Sequence, residues 1–379
     1  MIRSTLQMPT RFLATLVLLA LFSVAANAQN IERVFSVSSG GKLELDIETG
    51  GDIEISSWDK NEIKVLAEVS GRDAEMIVVD MEETSSGVEI YTEYSRRRAR
   101  ADVDMVIFVP AQFNLEISTS GGDVQIDGIE GKIEGSSMGG DLTFTRLAGT
   151  IEFSTMGGDI ELSNSDVDGS VHTMGGDVDI SDVTGSVDGT TMGGDVTYDN
   201  VQSGSGAKKE VNISTMGGDV NVDEALFGAD LHTMGGDIEV NRAAKYVKAS
   251  TMGGDIEIAE INGWIEANTM GGDVEVTMVG GTSGDRHVDI ESMGGDILLT
   301  IPKGLSMDVD IEITLTRDAD DDEYEIDSDF DINVTTKRSN SERRWRTGGE
   351  IVGEGKVSGG KNKVVIRTTN GSVTLREGR

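Results

Sequence analysis

A column of aspartates recurs at a fixed spacing in the middle of the sequence. The tetrapeptide Met-Gly-Gly-Asp occurs nine times between Met138 and Asp296, and Ser120-Gly121-Gly122-Asp123 precedes it in the same frame. If each repeat is one coil of a stack, the carboxylates lie about 5 Å apart and repel one another by about 1 kcal/mol in water. Two arrangements offset this repulsion. Either each Asp accepts backbone N–H groups in its own glycine corner, as in an Asx turn, or the carboxylates bind hard cations.

The cation alternative predicts Ca²⁺ sites in the middle of the array. Calcium rolls also have coils of about 18 residues, but their G-G-x-G-x-D nonapeptide occurs twice in each coil. Here Gly-Gly-Asp occurs once per repeat and lacks the third glycine, which favours the Asx turn. We therefore predict no cofactor, with Ca²⁺ as the alternative. The cation candidates are Asp177, Asp195, Asp219, Asp237 and Asp255.

A column of methionines accompanies the aspartates. A methionine side chain can fill irregular space in a core, or it can present its thioether outward to soft Cu(I). Because soft-metal sites rarely need nine equivalent ligands, we predict that the methionines line a corner of the core. The column consists of Met138, Met156, Met174, Met192, Met216, Met234, Met252, Met270 and Met293.

The three histidines do not form a metal site in this frame. His172 and His232 occupy the same outward position three repeats apart, which corresponds to about 14 Å. His287 stands alone near an insertion. We predict that all three are surface residues.

Two charged segments lie outside the regular repeats. The basic cluster Arg96-Arg97-Arg98-Ala99-Arg100 separates two strand-like segments and predicts a solvated hairpin loop, or one that pairs with the acidic face of the protein. The alternatives are docking to an anionic polysaccharide and a protease-sensitive site. In the acidic loop at 318–325, Asp318-x-Asp320-x-Asp322 resembles the start of an EF-hand loop. Glu323 replaces the required glycine and no helices flank the loop, so we predict a solvated loop.

The sequence contains no constellation typical of an enzyme. Retaining glycosidases need two carboxyl groups about 5 Å apart, and here that spacing would recur at every coil. A catalytic pair also needs a cleft and a perturbed pKa, for which the repeats supply no long loops. P-loop, G-x-S-x-G and H-E-x-x-H motifs are absent from the sequence. We therefore predict that the protein is not an enzyme.

The elements that position these columns are short strands with a period of 18 residues. Counting Met as position 0, apolar residues occupy −5 and −3 (Ile151 and Phe153) and again +4 and +6 (Ile160 and Leu162), while position −1 is always Thr or Ser. Each repeat therefore predicts two strands with one buried face, and a fixed period of this kind is typical of a solenoid. Glycines at the corner permit positive φ and close contact between coils. The predicted turn residues are Gly175, Gly176, Gly193, Gly194, Gly235, Gly236, Gly253 and Gly254.

The composition is that of an exported, folded polyanion. Arg3 and Arg11, the apolar run from Phe12 to Val24 and the small-x-small pattern that ends at Ala28 predict a cleaved signal peptide. Its apolar run is too short to span a bilayer, and no later run of 18 apolar residues exists, so we expect a protein that is not membrane-embedded. The net charge of −36 disfavours nucleic acid as a partner. Without cysteines, stability must come from length and repetition.

These patterns predict an all-β, parallel β-solenoid with 18-residue coils, right-handed by the usual chirality of parallel crossovers. Divergent coils are expected at both ends because a stack needs capped ends. The predicted segments are a signal peptide at 1–28, an N-terminal cap at 29–115, the regular solenoid at 116–301 and a C-terminal cap at 302–379.

The sequence resembles the bacterial putative-adhesin β-strand repeat family, whose function is unknown. The resemblance covers nearly the whole chain after the leader. It is carried by Gly51-Asp52-Ile53-Glu54-Ile55, by Trp58 to Val65, by Val109-Pro110, by the Thr-x-Gly-Gly-Asp repeats and by the closing Thr369-Asn370-Gly371-Ser372-Val373. It implies an exported solenoid without catalytic residues. The strict Met column departs from the family's looser repeats.

The functional expectation is an envelope or cell-surface scaffold or adhesin, located in the periplasm, at the cell surface or outside the cell. It would make multivalent polar contacts with a surface glycan or an envelope protein. The alternatives are a Ca²⁺-binding β-roll and a protein that binds or acts on polysaccharide.

Overall fold

Strands make up nearly all of the regular structure. The computed structural model describes residues 29–96, 100–201, 210–316, 319, 323–338 and 348–378. The predicted leader at 1–28 lies outside these residues, as do 97–99 of the basic cluster and 318 and 320–322 of the acidic loop. Within the described part of the chain, the one helical element is the 3-10 turn Ala74–Met76. No helix in that part is long and apolar enough to cross a membrane.

In the described part of the N-terminal segment there are eight strands, of which some pair in parallel with the array and others form antiparallel pairs. They are β1 (Gln29–Ser36), β2 (Lys42–Ile47), β3 (Ile53–Trp58), β4 (Glu62–Gly71), β5 (Ile77–Glu83), β6 (Gly87–Tyr94), β7 (Ala101–Pro110) and β8 (Asn114–Thr119).

The repeat array follows with strands that are mostly four to eight residues long. They are β9 (Val124–Asp127), β10 (Glu130–Ser137), β11 (Leu142–Thr145), β12 (Ala148–Thr155), β13 (Ile160–Ser163), β14 (Asp166–Thr173), β15 (Val178–Ser181), β16 (Val187–Thr190), β17 (Val196–Asp199), β18 (Val211–Ser214), β19 (Val220–Ala225), β20 (Ala229–His232), β21 (Ile238–Ser250), β22 (Ile256–Thr269), β23 (Val274–Met278), β24 (Val288–Ser292) and β25 (Ile297–Ile301).

The described residues of the C-terminal segment form six strands. They are β26 (Met307–Leu315), β27 (Ile326–Ser328), β28 (Asn333–Arg338), β29 (Gly349–Val357), β30 (Asn362–Thr369) and β31 (Val373–Glu377).

Parallel pairing between every second strand builds two stacks. β10 pairs with β12, β12 with β14 and β14 with β16, while β11 pairs with β13 and β13 with β15. In these pairs each residue lies beside the residue 18 positions later, for example Leu142 beside Ile160. β21 and β22 run around a corner and belong to both stacks. Consecutive repeats of the sequence therefore lie on top of one another, as a solenoid requires.

At both ends the spatial order differs from the chain order. β2 lies between β6 and β8, and β3 lies between β7 and β9, so the first coil is packed directly on the array. At the other end, β30 lies between β24 and β26. Antiparallel strands then cover each end, with β5 beside β6 and β29 beside β26. These antiparallel strands end the stack.

The core is the interior between the two stacks. At position +4 the side chains of ten successive coils are at most 1% exposed, from Val124 to Ile297 and on to Val373. Neighbouring residues point outward because side chains alternate along a strand. Burial of each such Val or Ile stabilises the fold by about 1.5–3 kcal/mol relative to leaving it exposed.

Candidate functional site

Each repeat turns a corner at Thr-Met-Gly-Gly-Asp, and the corners of successive coils lie on top of one another. The threonine at position −1 ends the inward-facing series of its strand and is at most 4% exposed from Thr155 onward. Its hydroxyl donates to the carbonyl oxygen of the second glycine in the preceding coil, at 2.7–3.2 Å. For Thr233 the acceptor is Gly218, and the same hydroxyl accepts the N–H of Gly236 at 3.3 Å. The buried hydroxyl thus ties one coil to the next.

The second glycine of each corner is required by close contact between coils. A Cβ on Gly236 would lie 2.1 Å from the carbonyl oxygen of Gly218, and one on Gly272 would lie 2.0 Å from that of Gly254. The first glycine is far less constrained, since a Cβ on Gly271 would meet its nearest atoms at 3.9 Å. Gly236 does not lie in the left-handed region. The positive φ expected at these corners occurs instead at the start of the array, at Gly121, Gly122 and Gly140.

The aspartates form a continuous ladder of hydrogen bonds. The Oδ1 atom of each ladder Asp accepts the backbone N–H of the equivalent residue in the next coil, which is the next Asp of the ladder or, at the end, Ser372. These N–H···Oδ1 bonds are 2.7–3.0 Å long. The expectation of a bond within each Asp's own corner is therefore wrong: the acceptor reaches one coil further. The ladder follows the spatial order of the coils, so it begins with the pair Asp104 and Asp52 and ends with Asp296 and Ser372.

These bonds occupy one oxygen of every cation candidate. Asp177, Asp195, Asp219, Asp237 and Asp255 each direct Oδ1 at a backbone N–H group. Among the described residues, no group of three or more His, Asp or Glu side chains is arranged to hold a metal ion. In each of these five cases the carboxylate caps a backbone N–H group of the neighbouring coil.

The methionine column lies on the surface, and the prediction that it lines the core is wrong. The nine side chains are 40–64% exposed. The reason is strand alternation: positions −5, −3 and −1 face inward, so position 0 faces outward. The inward Thr at position −1 already contained this signal.

The outward columns on either side of the corner are polar. Position +5 carries Glu239, Glu257 and Glu275 side by side in three successive coils, and all three are exposed. Asp179 occupies the same column, where its partial burial, and then the negative charges of Asp177, Glu161 and Asp159, raise the pKa of its carboxyl group. These columns repeat at the strand spacing of about 4.8 Å.

The other predicted surface groups are dispersed. His172 Nδ1 lies 2.7 Å from Thr190 Oγ1, His232 pairs with Asp230 at 2.9 Å, and His287 Nδ1 accepts the N–H of Lys363. The three are partly or well exposed, as predicted. Of the basic cluster, the backbone N–H of Arg100 donates to Asp73.

An open groove of about 850 Å³ lies near the N-terminal end of the array. Its acidic lining includes Asp52, Asp104 and Asp123. The Oδ1 atoms of all three accept backbone N–H groups, so these carboxylates belong to the ladder. The part of the groove formed by these three residues is therefore a continuation of the regular stack.

A family model for the domain described as Toastrack DUF4097 matches residues 24–242 and 204–376, which together span nearly the whole chain. The chain belongs to this Toastrack family. The resemblance to an adhesin-like repeat family of unknown function is thereby confirmed. A comparison with curated proteins gives no match.

Several solved structures are similar to this Toastrack chain at low identity. A putative cell adhesion protein from Clostridium sporogenes is 9% identical, with a TM-score of 0.20, and the match covers 93% of this chain and 100% of the other. A putative adhesin from Parabacteroides distasonis is 11% identical, with a TM-score of 0.33 and coverage of 72% and 97%. A putative lipid binding protein from the same species is 14% identical, with a TM-score of 0.30 and coverage of 71% and 96%. None of these likenesses bears on the activity of this chain.

Sequence reasoning missed two further features of this Toastrack structure. The Thr column was visible, but its hydrogen bond to the preceding coil was not, although a polar residue at every inward −1 position signalled a buried partner. The second feature is the cluster of Tyr246 and Trp264. Their rings stack at 4.9 Å with Lys248 5.9 Å from the Trp264 ring. The parallel register that places Tyr246 beside Trp264 could have revealed it.

Proposed function

We propose that this chain is a non-enzymatic, exported β-solenoid that acts at the cell envelope or cell surface as an adhesin or scaffold. In this proposal the array is a right-handed solenoid with 18-residue coils, and residues 1–28 are a cleaved signal peptide. The observation that carries the proposal is the set of outward polar columns, which repeat at every coil. Such a surface offers many equivalent weak contacts to a repetitive partner.

The chemistry of the surface selects the class of partner. A net charge of −36 repels nucleic acid and anionic membranes. Carboxylate, hydroxyl and amide groups at positions −2 and +5 can exchange hydrogen bonds with sugar hydroxyls or with a polar protein surface. A surface glycan or an envelope protein therefore fits these columns, and avidity from several coils compensates for weak single contacts.

The test combines binding with turnover. The purified protein is presented to a glycan array and to isolated cell-envelope fractions, and soluble products are measured in the same samples. We expect binding without release of sugar fragments. Replacement of Glu239, Glu257 and Glu275 by Gln should weaken binding by about tenfold or more through lost avidity. The matched control replaces Glu75, Glu82 and Glu83 by Gln. These residues lie at the N-terminal end of the stack, outside the array, so this variant should bind as the unmodified chain does.

Two results would contradict the proposal. Release of oligosaccharides from a polysaccharide would make the chain an enzyme. Equal binding by both triple variants would show that the outward columns of the array do not carry the binding. Binding that requires added Ca²⁺ would instead support the β-roll alternative.

A further inference from the structure

The exposed methionines form a continuous row along the array, here called the Met ladder. It consists of Met138, Met156, Met174, Met192, Met216, Met234, Met252, Met270 and Met293, all 40–64% exposed. Two insertions lengthen the sequence between neighbouring methionines of the ladder, but the strands on either side of each insertion still pair in the same register. Thr190 pairs with Ser214 and Thr269 with Ser292, so Met192 lies next to Met216 and Met270 next to Met293. The row is therefore unbroken over nine coils.

The residue type in this row is constant where other outward positions vary. Position −2 contains Ser, His, Thr, Asn and Glu in different coils, and position +5 contains Gln, Thr, Glu, Asp, Asn and Leu. At position 0, nine of ten coils have Met, and Leu, Ile and Val do not occur there. A merely tolerated apolar surface would admit those residues. The property that distinguishes Met from them is its thioether sulfur.

The spacing of the row suits shared coordination of a soft ion. Neighbouring coils are about 4.8 Å apart, and each Met side chain has about three rotatable bonds that can bring its sulfur towards the next. Thioether ligands select soft ions such as Cu(I), whereas carboxylates prefer hard ions. The chain has no cysteine that would compete as a thiolate ligand, and its net charge of −36 attracts cations.

We propose that the Met ladder binds soft monovalent metal ions, Cu(I) or Ag(I), each held by thioethers of neighbouring coils. Binding involves no redox step, because the ion arrives and leaves in the same oxidation state. With three thioethers for each ion, the nine methionines provide about three sites. This inference does not depend on the proposed adhesion, since the ladder and the +5 columns are different surfaces of the coil.

The experiment titrates the purified protein with Ag⁺ and counts bound ions by native mass spectrometry. Cu(I) is titrated separately without oxygen, in competition with a chromophoric chelator. A variant in which all nine ladder residues are changed to Leu keeps the apolar surface and removes the sulfur. We expect about three bound ions in the unmodified chain and loss of these ions in the variant. A control with His172, His232 and His287 changed to Gln should retain them.

A second measurement does not require any variant to fold. Methyl resonances of isotopically labelled methionine are followed during the Ag⁺ titration of the unmodified protein. We expect the exposed ladder methyl groups to shift while those of the buried Met105, Met278 and Met307 stay in place. Unmoved ladder resonances, or equal Ag⁺ binding by the Leu variant, would overturn the proposal. Either result would assign bound metal to carboxylates or leave the ladder as a docking surface for an apolar partner.

Discussion

At the level of single residues, the two glycines of one corner have different roles. A Cβ on Gly272 would lie 2.0 Å from a backbone oxygen of the preceding coil, while one on Gly271 has ordinary contacts at 3.9 Å. We expect Gly272→Ala to lower the free energy of unfolding by about 2–3 kcal/mol, because backbone cannot move aside cheaply. Gly271→Ala should change it by about 0.5 kcal/mol or less. Denaturant titration of the two variants checks this, and equal effects would contradict the role assigned to coil contact.

The buried threonine hydroxyl gives a second test at this level. Thr233→Val keeps the shape but leaves the Gly218 carbonyl and the Gly236 N–H without this partner. We expect a loss of about 1–3 kcal/mol in the free energy of unfolding. Thr233→Ser keeps the hydroxyl and should cost about 1 kcal/mol or less through the lost methyl group. A Val variant as stable as the original chain would show that the hydroxyl bond does not tie the coils.

The raised pKa of Asp179 makes the stability of the folded protein depend on pH. Burial raises its pKa in the folded protein, so the folded state favours the protonated form more than the unfolded state does. The ionised form therefore reduces stability, and this penalty grows as pH rises through the folded pKa. We expect Asp179→Asn to raise the Tm at pH 7 and to have little effect at about pH 3, where the original carboxyl is already protonated. Thermal unfolding at both values checks the sign, and a lower Tm at pH 7 would refute it.

At the level of elements, the Asp ladder connects the corner of one coil to the corner of the next. Asp237 Oδ1 accepts the N–H of Asp255 at 2.7 Å. Asp237→Asn keeps an acceptor oxygen and removes one charge, so we expect it to be tolerated or slightly stabilising. Asp237→Ala removes the acceptor and should cost about 1 kcal/mol. Unfolding is measured with and without Ca²⁺. A loss in the Asn variant that occurs only with Ca²⁺ would favour the cation alternative.

The sequence predicted the strands of the array well because each repeat states the same pattern again. Inward positions +4 and +6 follow from alternation alone, and burial of Val124 and Ile126 agrees with this. The prediction for the Met column is wrong because it relies on the apolar character of Met. It neglects the alternation of inward and outward positions along the strand, which places position 0 outward. The ladder partner was also missed, since a side chain that bonds one coil further depends on the register between coils. That register is a tertiary property which no single repeat contains.

The ends were less predictable for a related reason. β30 and β31 pack on β24 and β25 although β26 to β29 intervene in the chain. Their sequence shows that they share the frame of the array, but frame alone does not say which coil is adjacent. The position of β30 between β24 and β26 is decided by pairing across 76 residues of chain to β24 and 55 residues to β26.

At the level of the whole molecule, contacts between neighbouring coils carry the stability. The Asp ladder connects each coil to the next, and the hydroxyls at position −1 do the same from Thr155 onward. The fold is therefore a one-dimensional stack whose ends are covered by antiparallel strands. The functional proposals follow from this shape. In the first proposal adhesion uses the polar columns that repeat along the rod, and in the second soft-metal binding uses the Met ladder. Both surfaces require that successive coils stay in register over the length of the array.

Small-angle X-ray scattering of the purified protein tests the stacked rod most directly. In spatial order, one stack consists of β5, β6, β2, β8, β10, β12, β14, β16, β18, β20, β21, β22, β24, β30, β26, β29 and β28. These seventeen strands have sixteen spacings of about 4.8 Å, which give a length of about 77 Å. We expect a skewed pair-distance distribution with a tail that reaches about 80 Å. A symmetric distribution that ends near 55 Å, as for a compact domain of about 350 residues, would contradict the stacked rod and the repeated surfaces that depend on it.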